Sequence, residues 1–110
     1  MTSFRSFFLV LSFCFASGAQ AESGKDIYTT NCVTCHGEKG DGNTTLGKAV
    51  HSANFNAGFK NNSQKFPNEK YIIYVLKNGI TGSAMAKFDQ LSDKQKSEVA
   101  KYISTTFMKK

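Results

Sequence analysis

An all-α domain is what this sequence predicts, and three observations lead there. Three stretches place apolar residues at helical spacing between capping and stop signals. The segment between the first two, residues 38–66, sustains neither a period of two nor one of 3.6. The pentapeptide Cys32-Val33-Thr34-Cys35-His36 puts two thiols and an imidazole on one helical face.

Before the first helix, Arg5 gives a positive start, and residues 7–16 are apolar except for Ser12. Ala19-Gln20-Ala21 then offers the small-x-small cleavage pattern of a secretory signal peptide. An apolar run of that length is too short for a bilayer, which needs roughly 20 residues. Phe13 is bulky where a lipid-anchor signal at Cys14 would have a small residue. Residues 1–21 are therefore expected to be cleaved, leaving one small domain over residues 22–110.

The first helix begins at Ser23, with Asp26 three residues on as a capping-box partner. It carries Ile27 and Tyr28, ends in the pentapeptide, and meets a stop at Gly37. Cys-x-x-Cys followed at once by His is the attachment spacing of a c-type haem. Cys32 and Cys35 at i and i+3 can reach the two vinyl groups of one porphyrin as thioethers. His36 at i+4 becomes the proximal iron ligand. One such motif implies one covalent haem c with its iron. An exported cysteine pair would otherwise oxidise, yet a disulfide across two residues staples almost nothing. Zinc lacks a ligand set, since the only other histidine is His51.

Residues 38–66 hold isolated Phe55, Phe59 and Phe66 among Gly, Asn, Lys and Ser. A haem supplies the flat apolar core that so irregular a segment needs. The second helix is expected over residues 68–78, with Pro67 before it, Asn68 as its cap and Gly79 as its exit. Its apolar face is Ile72, Val75 and Leu76. The last helix starts at Ser92, with Gln95 closing a capping box. Val99, Ile103 and Phe107 form one stripe with Tyr102 beside it, while Lys94, Lys96 and Lys101 are expected in solvent.

The sixth iron position has three candidate ligands, Met85, Met108 and His51. Met85 leads, because the glycine-bearing segment around it lets the backbone approach a porphyrin closely. Met108 falls in a terminal turn expected to fray, and His51 in the middle loop. His51 and an open site remain the alternatives.

After cleavage the chain carries 13 lysines, no arginine and 8 acids, a net charge of +5. This pattern predicts steering towards an acidic partner; its plain alternative is solubility. Without arginine or a basic run beyond Lys109-Lys110, it excludes nucleic acid. Lys48, Lys60 and Lys87 are the candidate docking lysines near the methionine segment.

The chain resembles small bacterial class I cytochromes c, over essentially all of Ser23 to Phe107. Gly24-x-x-Ile27-Tyr28 is similar to the family's N-terminal helix. Cys35-His36-Gly37-x-x-Gly40-Asp41-Gly42 and Ala53-Asn54-Phe55 are similar to the branch found in cytochrome domains of haem-copper oxidase subunits and related dehydrogenases. Asn78-Gly79-Ile80-x-Gly82-Ser83-Ala84-Met85 resembles that branch's distal-methionine loop. Leu91-Ser92-Asp93 with Val99-Ala100-Lys101-Tyr102-Ile103 resembles its C-terminal helix. The resemblance implies a cytochrome c fold, three main helices and long loops around one haem, with Tyr102 crossing Gly24 and Met85 as distal ligand.

Two positions depart from the family. Ala86 stands where a proline usually follows the methionine, which implies a looser loop. No proline lies between Gly37 and Phe66, so the carbonyl that holds the proximal histidine must come from elsewhere, with Thr45-Leu46 the expected region. The function implied is a periplasmic electron carrier, not an enzyme, cycling between ferrous and ferric iron as a monomer. Its partners would be redox proteins with an acidic docking face, and no permanent membrane anchor is expected. The alternatives are a haem-based ligand-binding or sensing protein, in which a gas displaces Met85, and the electron-transfer subunit of a larger oxidoreductase complex.

Overall fold

The computed structural model describes residues 23–108, so the expected signal segment 1–21 lies outside them. Five helices follow in order: α1 Gly24–Asn31, α2 Val33–His36, α3 Thr45–Val50, α4 Asn68–Asn78 and α5 Asp93–Thr106. A single 3-10 turn spans Phe55–Ala57, and there is no strand among the described residues. The all-α class is as predicted.

Ser23 caps α1 by accepting from the Asp26 N–H at 3.2 Å, which satisfies one of the donors every helix start leaves open. The predicted first helix is broken in two at Cys32, whose φ of −120° leaves the helical range. The hydrogen-bond ladder still crosses the break, from Cys32 N to Tyr28 O and from His36 N to Cys32 O, both 2.8 Å. Gly37 ends α2 at φ 85°.

Helix α4 has the predicted bounds, but its cap differs. Pro67 holds the N-cap position without a side-chain bond, and Asn68 is the first helical residue. Tyr71 joins Ile72, Val75 and Leu76 on the buried face. Helix α5 carries the predicted capping box in both directions, Gln95 N to Ser92 Oγ at 3.0 Å and Ser92 N to Gln95 Oε1 at 2.8 Å.

The frame is the crossing of α1 over α5. A Cβ at Gly24 would run into the Glu98 carbonyl and the Tyr102 Cβ, so only glycine lets the backbones approach this closely. Ile27, Tyr28 and Val99 are the most deeply buried side chains there. The Tyr28 ring packs 5.6 Å from Tyr102 and 5.2 Å from Phe107.

Two expectations on α5 and beyond are corrected. Lys96, expected in solvent, is only 7% exposed. It sits three residues before Val99 and seven before Ile103, on the apolar stripe itself, where its methylene stem is buried. Met108, expected to fray, belongs to the hydrophobic core. A large apolar side chain after the last turn of α5 gains more from burial than the terminus gains from freedom.

Candidate functional site

Between α2, the 50–61 segment, the 80–90 segment and the inner faces of α4 and α5 lies a cavity of about 720 Å³. Cys32, Cys35, His36, His51 and Met85 all line it, together with Lys60 and Lys87. Met108 and Lys48 do not. The structure thus brings together four of the sequence's haem-site residues (Cys32, Cys35, His36 and Met85) and one alternative ligand, and removes Met108 from the choice.

The His36 wall is built from several places in the chain. The His36 Nδ1 faces the Ala53 carbonyl at 3.1 Å, which corrects the expectation that Thr45-Leu46 would supply this acceptor. Donation from Nδ1 leaves Nε2 as the ring's free lone pair. The Phe55 ring stacks on the imidazole at 4.5 Å between centroids and 20° between planes. Its own position is fixed by Phe55 N to Gly40 O at 2.7 Å and by stacking on Phe107. The buried Tyr28 hydroxyl donates at 2.6 Å to the carbonyl of Gly37, the residue after His36.

Helix α3 was not anticipated, and it braces the same wall. The Thr44 hydroxyl accepts from Gly47 N at 2.8 Å and donates to the Thr34 carbonyl at 2.7 Å. One side chain therefore caps α3 and ties it to α2. Gly47 lies against the Cys35 carbonyl with no room for a Cβ.

Burial sets the chemistry of this wall. It pushes the Cys32 thiol up to about 12, with the neighbouring Cys35 adding to the shift. It also pulls His36 below the usual imidazole range, against the opposing hydrogen bond to Ala53. Burial thus favours the neutral form of both groups. The Cys32 and Cys35 sulfurs are both half-buried and are not joined to each other.

The Met85 wall is a loop that leaves α4 at Gly79, φ 69°. Ile80 N donates to the Met85 carbonyl at 2.9 Å. The Ser83 hydroxyl donates to Ile80 O at 2.8 Å and accepts from Met85 N at 3.1 Å. Phe88 N to Leu76 O at 2.8 Å returns the chain to α4. A Cβ at Gly79 would press on Lys87 N and Met85 O, so this exit needs glycine both for its φ and for the close approach.

The cavity fits a porphyrin. Its volume lies in the range of cofactor sites, about 300–1,000 Å³, and its floor is Ile72, Val75, Leu76, Val99 and Ile103. Two thiols and an imidazole line it with a thioether among them.

Sequence reasoning missed the Ala53 carbonyl, which has no side-chain signal, and the roles of Phe55, Thr44 and Ser83. Thr44 had a readable signal, a capping residue three positions before a backbone donor.

The family model described as cytochrome c oxidase, cbb3-type, subunit III matches residues 19–103. A chain of the Kuenenia stuttgartiensis reducing HAO-like protein complex is similar in structure, with a TM-score of 0.65 and 27% sequence identity. That match covers 78% of this chain and 42% of the other; this chain thus spans less than half of its neighbour. No curated protein matches.

Proposed function

The chain belongs to the family of cbb3-type cytochrome c oxidase subunit III, and from that premise we propose that it is an exported monohaem cytochrome that shuttles single electrons between redox proteins. As a cytochrome c domain it carries covalent haem c with iron and serves electron transfer. In the finer reading Cys32 and Cys35 hold the porphyrin by thioethers, His36 is the proximal ligand and Met85 the distal one. The observation that carries it is the meeting of all four residues around one apolar cavity.

Bound haem supplies reversible one-electron exchange at its iron. The chain's own residues do the rest. Ala53 and Phe55 fix the His36 ring and leave Nε2 as the nitrogen available to the iron. The aliphatic floor excludes water, which limits reorganisation around a changing charge. As an iron ligand, the Met85 thioether would favour the reduced state. No side chain is assigned a proton-transfer step.

Export to the periplasm and removal of residues 1–21 belong to this proposal, as do monomeric state and an acidic partner. No helix among the described residues is long and apolar enough to cross a membrane. A second reading, the electron-transfer subunit of a larger complex, is favoured by the neighbour's place in one.

The test is an optical spectrum of the full chain expressed in a haem-maturing bacterial host, oxidised, reduced and reduced under carbon monoxide. A low-spin c-type spectrum with the methionine–iron band, insensitive to carbon monoxide, is expected. Met85→Ala should abolish that band and admit carbon monoxide while covalent haem remains. Absence of covalent haem would overturn the proposal, and a carbon monoxide response in the native protein would turn it towards sensing. Mass spectrometry of the exported protein should find Glu22 at its N-terminus.

A further inference from the structure

We propose that the face carrying Phe66, Lys70, Tyr74 and Lys77 docks an acidic redox protein, with Tyr74 as anchor and the lysines as its rim. This rests on the electron-carrier reading above.

The charge of the molecule is unevenly placed. Residues 23–47 hold two lysines against three acids, and residues 88–108 three against three. Residues 48–87 hold six lysines against Glu69 alone. The positive excess of the described residues therefore falls in the segment that contains α4 and the loops flanking it. Of those six, Lys70 and Lys77 stand on α4 itself and are exposed, so this helix can contribute to the steering of an acidic partner.

Within that segment, Lys70, Tyr74 and Lys77 lie at i, i+4 and i+7 on the outer face of α4, and all three are exposed. Tyr74 is 43% exposed, one of two large apolar residues left on the surface among the described residues. Its ring lies 5.8 Å from Phe66, and the Lys70 ammonium sits 5.2 Å over the Phe66 ring. Aromatic residues ringed by polar and charged side chains are the composition of interface centres.

Beside Tyr74 is a concavity of about 220 Å³, with the buried Tyr71 and Val75 in its lining and the exposed Asn61, Ser63, Gln64 and Thr81 around them. The loop that forms it is held in shape, because the Asn62 side chain accepts from Phe66 N at 3.0 Å and donates to Phe66 O at 2.8 Å. Exposed amides and hydroxyls around a preformed concavity suit hydrogen bonds from a folded partner. A lipid surface would want an apolar helix face, and that of α4 is already spent on the core. Tyr71 is a wall of both this concavity and the large cavity, and its ring stacks with Tyr74 at 6.4 Å. Asn61, Val75 and Ile80 also line both, so the docking face and the cofactor site share one wall.

The test uses the haem-loaded full chain with reduced flavodoxin, a small acidic redox protein, as electron donor in stopped flow. At low ionic strength the pair Lys70→Glu/Lys77→Glu should lower the second-order rate constant about tenfold or more, as loss of steering predicts. Lys94→Glu/Lys101→Glu on α5 should change it by less than about threefold. Tyr74→Ala should slow the reaction while leaving its salt dependence unchanged. All variants should keep the native midpoint potential and circular dichroism.

Equal losses from both lysine pairs would overturn the inference, leaving only net charge. So would a loss from Lys48→Glu/Lys87→Glu with none from Lys70→Glu/Lys77→Glu. A third overturning result is binding to phosphatidylglycerol vesicles that Lys70→Glu/Lys77→Glu abolishes while the flavodoxin rate stands. Dithionite reduction needs no docking; failure to give a c-type spectrum with it would remove the carrier reading itself, and this inference with it.

Discussion

The two walls of the cavity are held in place by different means. The His36 wall is fastened by bonds from far along the chain: Ala53 to His36, Thr44 to Thr34, Phe55 to Gly40 and Tyr28 to Gly37. Each of these also closes a loop of the fold. The Met85 wall is fastened mainly by its own residues, with Ser83 and Ile80 closing the turn on Met85. The geometry at His36 is therefore inseparable from folding, whereas that at Met85 is a local matter. Changes on the first wall should cost stability, and changes on the second should alter ligation while the fold stands.

The largest effect is expected at Phe55. Its ring supports His36 and packs against Phe107, Tyr28 and Phe59, so Phe55→Ala removes a support and leaves a cavity. A loss of about 3–5 kcal/mol is expected, measured by denaturant unfolding of the haem-loaded protein, with a changed low-spin electron paramagnetic resonance signal. Retention of full stability would break the claim that this wall and the core are one structure.

Gly47→Ala comes next. The new Cβ would meet the carbonyl oxygens of Cys35 and Gly42, which are backbone and cannot swing aside. Overpacking of this kind costs typically about 1–3 kcal/mol. It should also lower the yield of haem-loaded protein, read from the ratio of haem absorbance to protein, because it displaces α2.

These two residues also mark where the sequence could be read and where it could not. Cap residues at Ser23, Ser92 and Gln95 act within a few positions of themselves, so local pattern placed both helices. The same holds for Cys32, Cys35 and His36, whose spacing is itself the geometry. Helix α3 escaped because Thr45-Leu46-Gly47-Lys48-Ala49-Val50 has no apolar period, and Leu46 stays 45% exposed. It exists because Gly47 can sit on Cys35, a contact between distant segments. Ala53 offers only a carbonyl, which every residue has, so nothing in its side chain could announce the role. Lys96 was readable: its register with Val99 and Ile103 outweighs its charge.

Tyr28 tests the His36 wall by pH. Its hydroxyl is buried, and burial raises its ionisation well above the usual phenol value. The folded state thus keeps a proton that the unfolded chain releases near pH 10. The stabilisation from this group is whole below about pH 10 and is lost as pH climbs through the raised folded value. Tyr28→Phe should cost about 1–2 kcal/mol at neutral pH, for the bond to Gly37 and the carbonyl left unpaired. The gap between native protein and variant should narrow above pH 10. A constant gap would mean that the hydroxyl contributes packing alone.

Ser83 gives the smallest change in stability and the sharpest test of the contrast. Its hydroxyl joins Ile80 O to Met85 N in an exposed turn, so water can replace it when it is removed. Ser83→Ala should therefore cost about 0.5–1 kcal/mol or less in global unfolding. The turn it leaves behind has Gly79 at one end, Gly82 in its middle and Ala86 after the methionine, so little else limits the path of Met85. Carbon monoxide binding to the ferrous protein should become measurable or faster in this variant, with the melting temperature nearly unchanged. If melting instead fell as far as in Tyr28→Phe, the Met85 loop would be as much a part of the folding unit as the His36 wall. If neither quantity moved, Ile80 N to Met85 O would suffice to hold the loop, and the looseness argued from Ala86 would have no physical basis.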